Sequence, residues 1–323
     1  MDQGAGSGPI IAGPERDPTD LLSDTLKGGV AVVAEAAPLD APPVVQVPPL
    51  PPGEHVELVG RGTTFVRELP GPSPDAPVVV LLHGWTATAD LNFFTCYRRL
   101  GETYRVLALD HRGHGRGLRA RGAFRLEDCA DDVAALLDAR GIERAIVVGY
   151  SMGGPVAMLT WRRHPERVGG LVLCATAAYF SRSREERLNF LGLTGLAALA
   201  RATPSSARRW LTHQLYLQRK AKDWEPWAME QVNAHDWRMI LEAGRRIGSF
   251  SARPWLHEID VPTSVIITMR DQIVPVRRQI KLFETIAGAE AYRVDGMHDA
   301  VVANAGTFVP LLERACESVR DRW

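Results

Sequence analysis

Residues 145–154 read Ala-Ile-Val-Val-Gly-Tyr-Ser-Met-Gly-Gly, so an apolar run leads directly into a Gly-x-Ser-x-Gly motif. The run predicts a buried strand, and the pattern after the motif predicts a helix. A serine between a strand and a helix is typical of a sharp turn that lifts its hydroxyl above a sheet. Gly149 and Gly153 leave room for that turn, and Tyr150 lies inside it. We therefore expect Ser151 to be a nucleophile.

Continuous apolar runs of the same kind recur along the chain. Continuous rather than alternating apolarity predicts strands that are buried on both faces of a parallel sheet. Helical patterns lie between them, so the fold class is predicted as α/β, with a doubly wound, mostly parallel sheet. A hairpin is predicted before this sheet, with strands at 55–59 and 63–68. Further strands are predicted at 77–82, 104–110, 144–150, 170–174, 262–267 and 289–294, and helices at 126–139, 153–164 and 307–320.

Two segments differ from this alternation. Residues 1–53 are rich in Gly, Ala, Asp and Pro, with seven prolines from residue 38 onward. They predict a flexible Pro-rich N-terminal arm, because proline cannot donate to a sheet ladder. Residues 177–258 contain no clear buried strand and predict a helical cap inserted after the sixth strand, with candidate helices at 182–199, 205–222 and 224–247. The α/β core is predicted to comprise residues 54–176 and 259–323.

The sequence His-Gly-Trp at 83–85 follows another apolar run. An enzyme that transfers an acyl group needs two preorganised donors for the oxyanion. The backbone amide of Met152, directly after the serine, is one candidate, and the amide of Trp85 is the other. His83 precedes Gly84, a position that favours bracing the loop over acting as a catalytic base.

An acid and a base are predicted in loops after later strands. Asp271 follows the apolar run at 262–267, and His298 follows the last predicted strand. The chain order Ser151, Asp271, His298 is one of the known orders of a catalytic triad. Asp299 is too close to His298 in sequence to orient its ring, and we expect it to cap the next helix. The other histidines lack this combination of order and loop position: His55, His111, His114, His164, His213, His235 and His257.

With these motifs, residues 54–323 resemble the α/β-hydrolase fold superfamily, in particular its serine esterase and lipase branch. The matching positions are 83–85, 110–115, 149–154, Asp271 and 296–298. The resemblance implies that the loop at 110–115 is structural and that the cap is a lid over the active site. The predicted triad implies acyl-enzyme chemistry that needs no metal and no organic cofactor.

Single positions distinguish this chain from several branches of that superfamily. Epoxide hydrolases and haloalkane dehalogenases use aspartate as the nucleophile, which Ser151 disfavours. The stretch 85–89 departs from the glycine-rich segment of the meta-cleavage C–C hydrolases, and the HGGG pattern of another esterase group is absent. Non-haem haloperoxidases and perhydrolases share the triad, and no residue separates them from esterases.

The predicted cap carries half of the eight tryptophans, namely Trp210, Trp224, Trp227 and Trp237. Large apolar groups over a serine turn suit a hydrophobic acyl or alcohol group, although packing of the cap against the core explains them equally well. The many arginines of the cap indicate a solvated face, or a site for an anionic group or a lipid surface. The expected substrate is a small or lipid-like carboxylic ester. Two alternatives stay open: the same triad could act on a thioester, a lactone, a C–C bond or a peracid, or the protein could be a receptor that only binds its ligand.

Composition excludes some other classes. The 38 Lys and Arg balance the 38 Asp and Glu, so the basic excess of a nucleic-acid binder is missing. The four cysteines lack C-x-x-C spacing, which disfavours a zinc or dithiol site. No signal peptide or apolar span is evident, so a cytoplasmic protein with no transmembrane segment is expected. The sequence leaves the oligomeric state open.

Overall fold

Eight strands form one sheet in the computed structural model, which describes residues 47–181 and 225–323. Five strands after the initial hairpin are almost entirely buried, as expected for the interior of a parallel sheet, whereas the last strand is mostly exposed. The strands are β1 (Gly53–Leu58), β2 (Gly62–Leu69), β3 (Val78–Leu82), β4 (Arg105–Leu109), β5 (Ala145–Tyr150), β6 (Val168–Cys174), β7 (Thr263–Thr268) and β8 (Glu290–Val294).

The order of the strands across the sheet is β1-β2-β4-β3-β5-β6-β7-β8. The first two neighbour pairs are antiparallel, and every pair from β4 to β8 is parallel. The loops that follow β3, β5, β7 and β8 therefore all emerge at the same edge of the sheet, where ligands bind in open α/β sheets. This topology confirms the predicted doubly wound, mostly parallel class.

Helices cover both faces of the sheet, and each face has its own apolar core. Within β3, Val80 and Leu82 belong to one core, whereas Val79 and Leu81 belong to the other. The described helices are α1 (Ala89–Phe93), α2 (Tyr97–Gly101), α3 (Leu126–Ala139), α4 (Gly153–Arg163), α5 (Glu225–Asn233), α6 (Trp237–Ser249), α7 (Val276–Thr285), α8 (Ala300–Ala303) and α9 (Ala305–Arg322). Within residues 47–181 and 225–323, each helix is too short or too polar to cross a bilayer.

The start of the sheet differs slightly from the predicted boundaries. Strand β1 begins at Gly53, inside the segment predicted as an arm. The carbonyl of Pro52 accepts a hydrogen bond from the amide of Glu68, and the carbonyl of Pro51 accepts one from the Arg67 guanidinium. The last prolines are thus held by strand β2. The rest of the predicted arm, residues 1–46, lies outside the described residues.

The described part of the predicted cap contains α5 and α6. The prediction of a single helix at 224–247 is wrong, because one helix ends at Asn233 and the next begins at Trp237. Asp236 has extended backbone there, and its side chain accepts a hydrogen bond from the amide of Met239 at 3.3 Å, which starts a new helix. The helices predicted at 182–199 and 205–222 lie outside the described residues.

Candidate active site

Ser151 lies on the turn between β5 and α4, where the backbone is crowded and left-handed. Its φ is +53°, a conformation that non-glycine residues rarely adopt. A Cβ on Gly149 would lie 2.3 Å from the Gly153 carbonyl oxygen, and one on Gly153 would lie 2.0 Å from the Leu82 carbonyl oxygen. Both glycines are therefore required for this turn to pack between β5 and β3.

We expect Gly153→Ala to lower the free energy of unfolding by about 1–3 kcal/mol, because the new methyl group overlaps a backbone carbonyl that cannot rotate away. Urea denaturation of both proteins measures the loss. Gly306→Ala is the matched control, since a Cβ there meets no atom within 4 Å and the residue lies within α9. Equal stability of the two variants would contradict the close packing of the turn.

The three residues predicted as a triad meet at the carboxyl edge of the sheet. His298 Nε2 lies 2.9 Å from Ser151 Oγ, and His298 Nδ1 lies 2.8 Å from Asp271 Oδ2. An ionised carboxylate only accepts hydrogen bonds, so Nδ1 carries the ring proton and Nε2 accepts from the serine hydroxyl. This is the tautomer that a histidine base requires.

Asp271 is held in its ionised form by the groups around it. Burial by itself raises its pKa, but the hydrogen bond and charge of His298 lead a set of opposing contacts, and the net effect lowers the pKa below 3.8. The further donors are the amides of Ile273 and Val274 at 2.8 and 2.9 Å, the Thr268 hydroxyl at 2.8 Å and the Gln279 amide at 3.1 Å. The carboxylate therefore stays fixed and charged opposite the imidazole.

The loop that carries His298 is held by a hydrogen bond from the serine turn. Tyr150 is buried, and its hydroxyl donates a hydrogen bond to the His298 carbonyl at 2.6 Å. Tyr150 therefore links the serine turn to the histidine loop. Asp299 occupies the N-cap position of α8, but its side chain makes no capping hydrogen bond, so that prediction is wrong. It is also not the partner of the ring, because Asp271 occupies Nδ1.

The two predicted oxyanion donors belong to chain segments that contact the Ser151 turn or follow it directly. Met152 precedes α4 and is buried, and Trp85 follows Gly84, where a Cβ would lie 3.2 Å from the Ser151 Cβ. Within the described residues, neither amide donates a hydrogen bond. Both amides are therefore candidates for binding a negative charge that develops next to Ser151.

His83 makes its hydrogen bonds to backbone groups of Gly84 and His111. Its ring is fully buried, with Nδ1 2.7 Å from the Gly84 carbonyl and Nε2 accepting from the His111 amide at 2.9 Å. Asn92, which the sequence did not single out, accepts a hydrogen bond from the Gly84 amide at 2.7 Å. Both ends of Gly84 are thus fixed.

Four buried histidines lie beneath this loop: His83, His111, His114 and His235. The ring centroids of His83 lie 4.4 Å from His111 and 5.1 Å from His114, and those of His114 and His235 lie 5.5 Å apart. Burial lowers the pKa of all four. The pKa of His83 and of His235 falls from 6.5 to about 4. All four rings are therefore neutral near pH 7.

We expect stability to fall steeply as the pH drops from 6.5 to about 4. In that window His83 and His235 bind protons in the unfolded chain but stay neutral in the folded chain. Proton binding therefore lowers the free energy of unfolding. Each histidine contributes about 1.4 kcal/mol per pH unit. Urea denaturation across the window measures the slope. His235→Gln should remove about one proton's share of this slope, and a flat wild-type profile would contradict the prediction.

Helix α6 packs directly on the Trp85 loop. The Trp85 indole donates a hydrogen bond to the Ile240 carbonyl at 2.7 Å, and a Cβ on Gly244 would lie 2.6 Å from the indole ring. His235 joins Thr86 to Gly115. The sequence predicts no role for His235, because its partners Thr86 and Gly115 are distant in the chain and only the fold brings them together.

Comparison with known proteins indicates the family of this chain. Residues 77–297 match the family model for the alpha/beta hydrolase fold. An epoxide hydrolase B of Mycobacterium tuberculosis is 39% identical over 122 residues, which are 36% of this chain and 34% of that enzyme, so the chain matches about a third of that relative's length. A pimeloyl-[acyl-carrier protein] methyl ester esterase of Neisseria meningitidis is 29% identical over 76% of this chain and 96% of its own length.

Among solved structures, the enol-lactonase of Burkholderia xenovorans LB400 has a TM-score of 0.68 and 25% identity. The match covers 82% of this chain and 100% of the lactonase. The family model covers more than half of the chain, and the eight-stranded sheet has the topology of that fold. This chain belongs to the alpha/beta hydrolase fold family.

Proposed function

We propose that this protein is a serine hydrolase that cleaves a carboxylic ester through an acyl-enzyme intermediate. The observation that carries the proposal is the continuous set of contacts from Ser151 Oγ to His298 Nε2 at 2.9 Å, and from His298 Nδ1 to Asp271 Oδ2 at 2.8 Å. A serine, a base and an orienting carboxylate within hydrogen-bond reach are the parts that nucleophilic acyl transfer requires.

In the proposed acylation, the Ser151 oxygen bonds to the ester carbonyl carbon while its proton passes to His298 Nε2. Asp271 stabilises the imidazolium and holds its orientation. The carbonyl oxygen gains a negative charge, which the amides of Trp85 and Met152 bind. The carbon–oxygen bond to the alcohol then breaks, and the alcohol leaves with the proton from His298.

Deacylation repeats these steps with water. His298 takes a proton from a water molecule, whose oxygen attacks the acyl carbon, and the same two amides bind the second oxyanion. The Ser151 oxygen leaves with the proton from His298 and the acid is released. Every proton transfer uses groups of this chain.

An apolar acyl or alcohol group fits the surface beside the triad. Ile273 is 68% exposed on the loop of Asp271, and Met297 is 49% exposed next to His298. Exposed apolar side chains that flank a reaction centre favour an apolar ligand group. A cyclic ester is the second candidate, because the likeness to the enol-lactonase covers that whole chain. Ser151 itself disfavours epoxide opening, for which the family uses an aspartate nucleophile.

A series of p-nitrophenyl esters of increasing acyl length, together with simple lactones, tests the proposal. The expected result is turnover that depends on acyl length, with a fluorophosphonate forming one adduct on the peptide that contains Ser151. The preferred length would measure the acyl site. Tight binding of an ester with negligible turnover across the series would instead indicate a receptor.

A further inference from the structure

Thr86 holds an unfavourable backbone conformation directly after the proposed oxyanion residue Trp85. Its φ is +60°, which places a β-branched residue in the left-handed region. Such a conformation persists only where surrounding contacts hold it. The Trp85 amide lies in the Gly84–Trp85 peptide plane, one residue before Thr86, so its position depends on how firmly the loop backbone from Gly84 to Thr86 is held.

His235 supplies a contact to that backbone from the segment between α5 and α6. Its ring is buried, with Nε2 3.2 Å from the Thr86 carbonyl oxygen and Nδ1 2.7 Å from the Gly115 amide nitrogen. The Gly115 amide is a donor, so Nδ1 accepts and carries no proton. Nε2 of the neutral ring therefore donates to the Thr86 carbonyl.

The segment that carries His235 is itself anchored to the core. The amide of Asp236 donates a hydrogen bond to the Gly113 carbonyl at 2.8 Å. One turn further along, the Ile240 carbonyl accepts from the Trp85 indole at 2.7 Å. The loop at Trp85 and Thr86 is thus held at two points by the start of α6, once through its backbone and once through its indole.

We propose that His235 is a positioning residue for the hydrolytic reaction: through its hydrogen bond to the Thr86 carbonyl, it holds in place the loop that presents the Trp85 amide to the oxyanion. The inference rests on the proposed function, because the oxyanion exists only in an acyl-transfer reaction. Of the two contacts of the ring, the one to Thr86 is the one that reaches the oxyanion loop. Here the cap segment completes the oxyanion site that the core strands begin.

Two substitutions separate the two contacts of the ring. The glutamine amide nitrogen in His235→Gln occupies roughly the place of Nε2 and retains the donor to Thr86. The asparagine oxygen in His235→Asn occupies roughly the place of Nδ1 and retains only the acceptor for Gly115. A role in positioning the oxyanion loop requires the contact to Thr86. A structural role requires the acceptor, because it pairs a buried amide.

We expect His235→Asn to lower kcat by about 10- to 100-fold with KM nearly unchanged, since misplacing an oxyanion donor weakens only the transition state. His235→Gln should keep kcat within about threefold of the wild type. Exposed His257→Asn serves as the control with unchanged kinetics. Equal kcat for the glutamine and asparagine variants, or a loss confined to KM, would overturn the proposal.

Hydrogen exchange of the full-length protein gives a readout that needs no substrate. In the loop, the Ala87 amide donates to the Gly84 carbonyl at 3.3 Å, so loosening the loop exposes this amide. A peptide spanning residues 84–88 should exchange faster in His235→Asn than in His235→Gln. Equal exchange would overturn the proposed hold on the loop. Wild-type protein without ester turnover would overturn the proposed function alone, and exchange would still decide the role of His235.

Discussion

Ser151→Ala is expected to reduce ester turnover by about 10⁶-fold, the loss that removal of the nucleophile causes in other serine triads. The hydroxyl is the attacking group, and within the described residues no other hydroxyl contacts His298 Nε2. The oxyanion amides and the binding surface persist in the variant, so a residual rate above that of water should remain. Steady-state assays with the preferred p-nitrophenyl ester measure the loss.

The same substitution should leave the fold unchanged. The Ser151 amide and carbonyl keep their hydrogen bonds to the Cys174 carbonyl and the Gly154 amide, because only the side chain is altered. Thermal unfolding checks this, and exposed Ser73→Ala is the control for activity. If Ser151→Ala retained ester hydrolysis and lost no fluorophosphonate labelling, the nucleophile would lie elsewhere and the proposed mechanism would fail.

The sequence predicts the central sheet well because its signals are local. Strands buried on both faces are continuous apolar runs. The observed β5 differs from its predicted range by one residue at its start, and β7 is shifted by one residue at both ends. The signal of the Gly-x-Ser-x-Gly turn is equally local. Its glycines are needed because a Cβ there would clash within the turn or with the adjacent β3. The order of Ser151, Asp271 and His298 then restricts where the acid and base can lie.

Features that depend on distant contacts were not predictable in the same way. The break at Asp236 looks like continuous helix in the sequence, because its capping hydrogen bond and its contact with Gly113 appear only after the cap segment packs on the core. His235 has no motif of its own. Gln279 supports Asp271 from the first turns of α7, at a spacing that identifies no known signature.

Asp271→Asn is expected to reduce kcat by about 10⁴-fold, with little change in the folded structure. The Oδ1 atom accepts the amides of Ile273 and Val274, so the asparagine oxygen must remain there and its NH₂ group must face His298. That group donates to Nδ1, which forces the ring proton onto Nε2. The ring then cannot accept the proton of Ser151, and acylation loses its base.

Asp299→Asn is the matched control, because Asp299 is the other carboxylate next to the ring in sequence and makes no side-chain cap. We expect its kcat to stay within about threefold of the wild type. The rate of single-turnover acylation separates the two variants most directly, since it isolates the step in which His298 accepts the serine proton. A larger loss in Asp299→Asn than in Asp271→Asn would assign the orienting role to Asp299, against the 2.8 Å contact between Asp271 and His298.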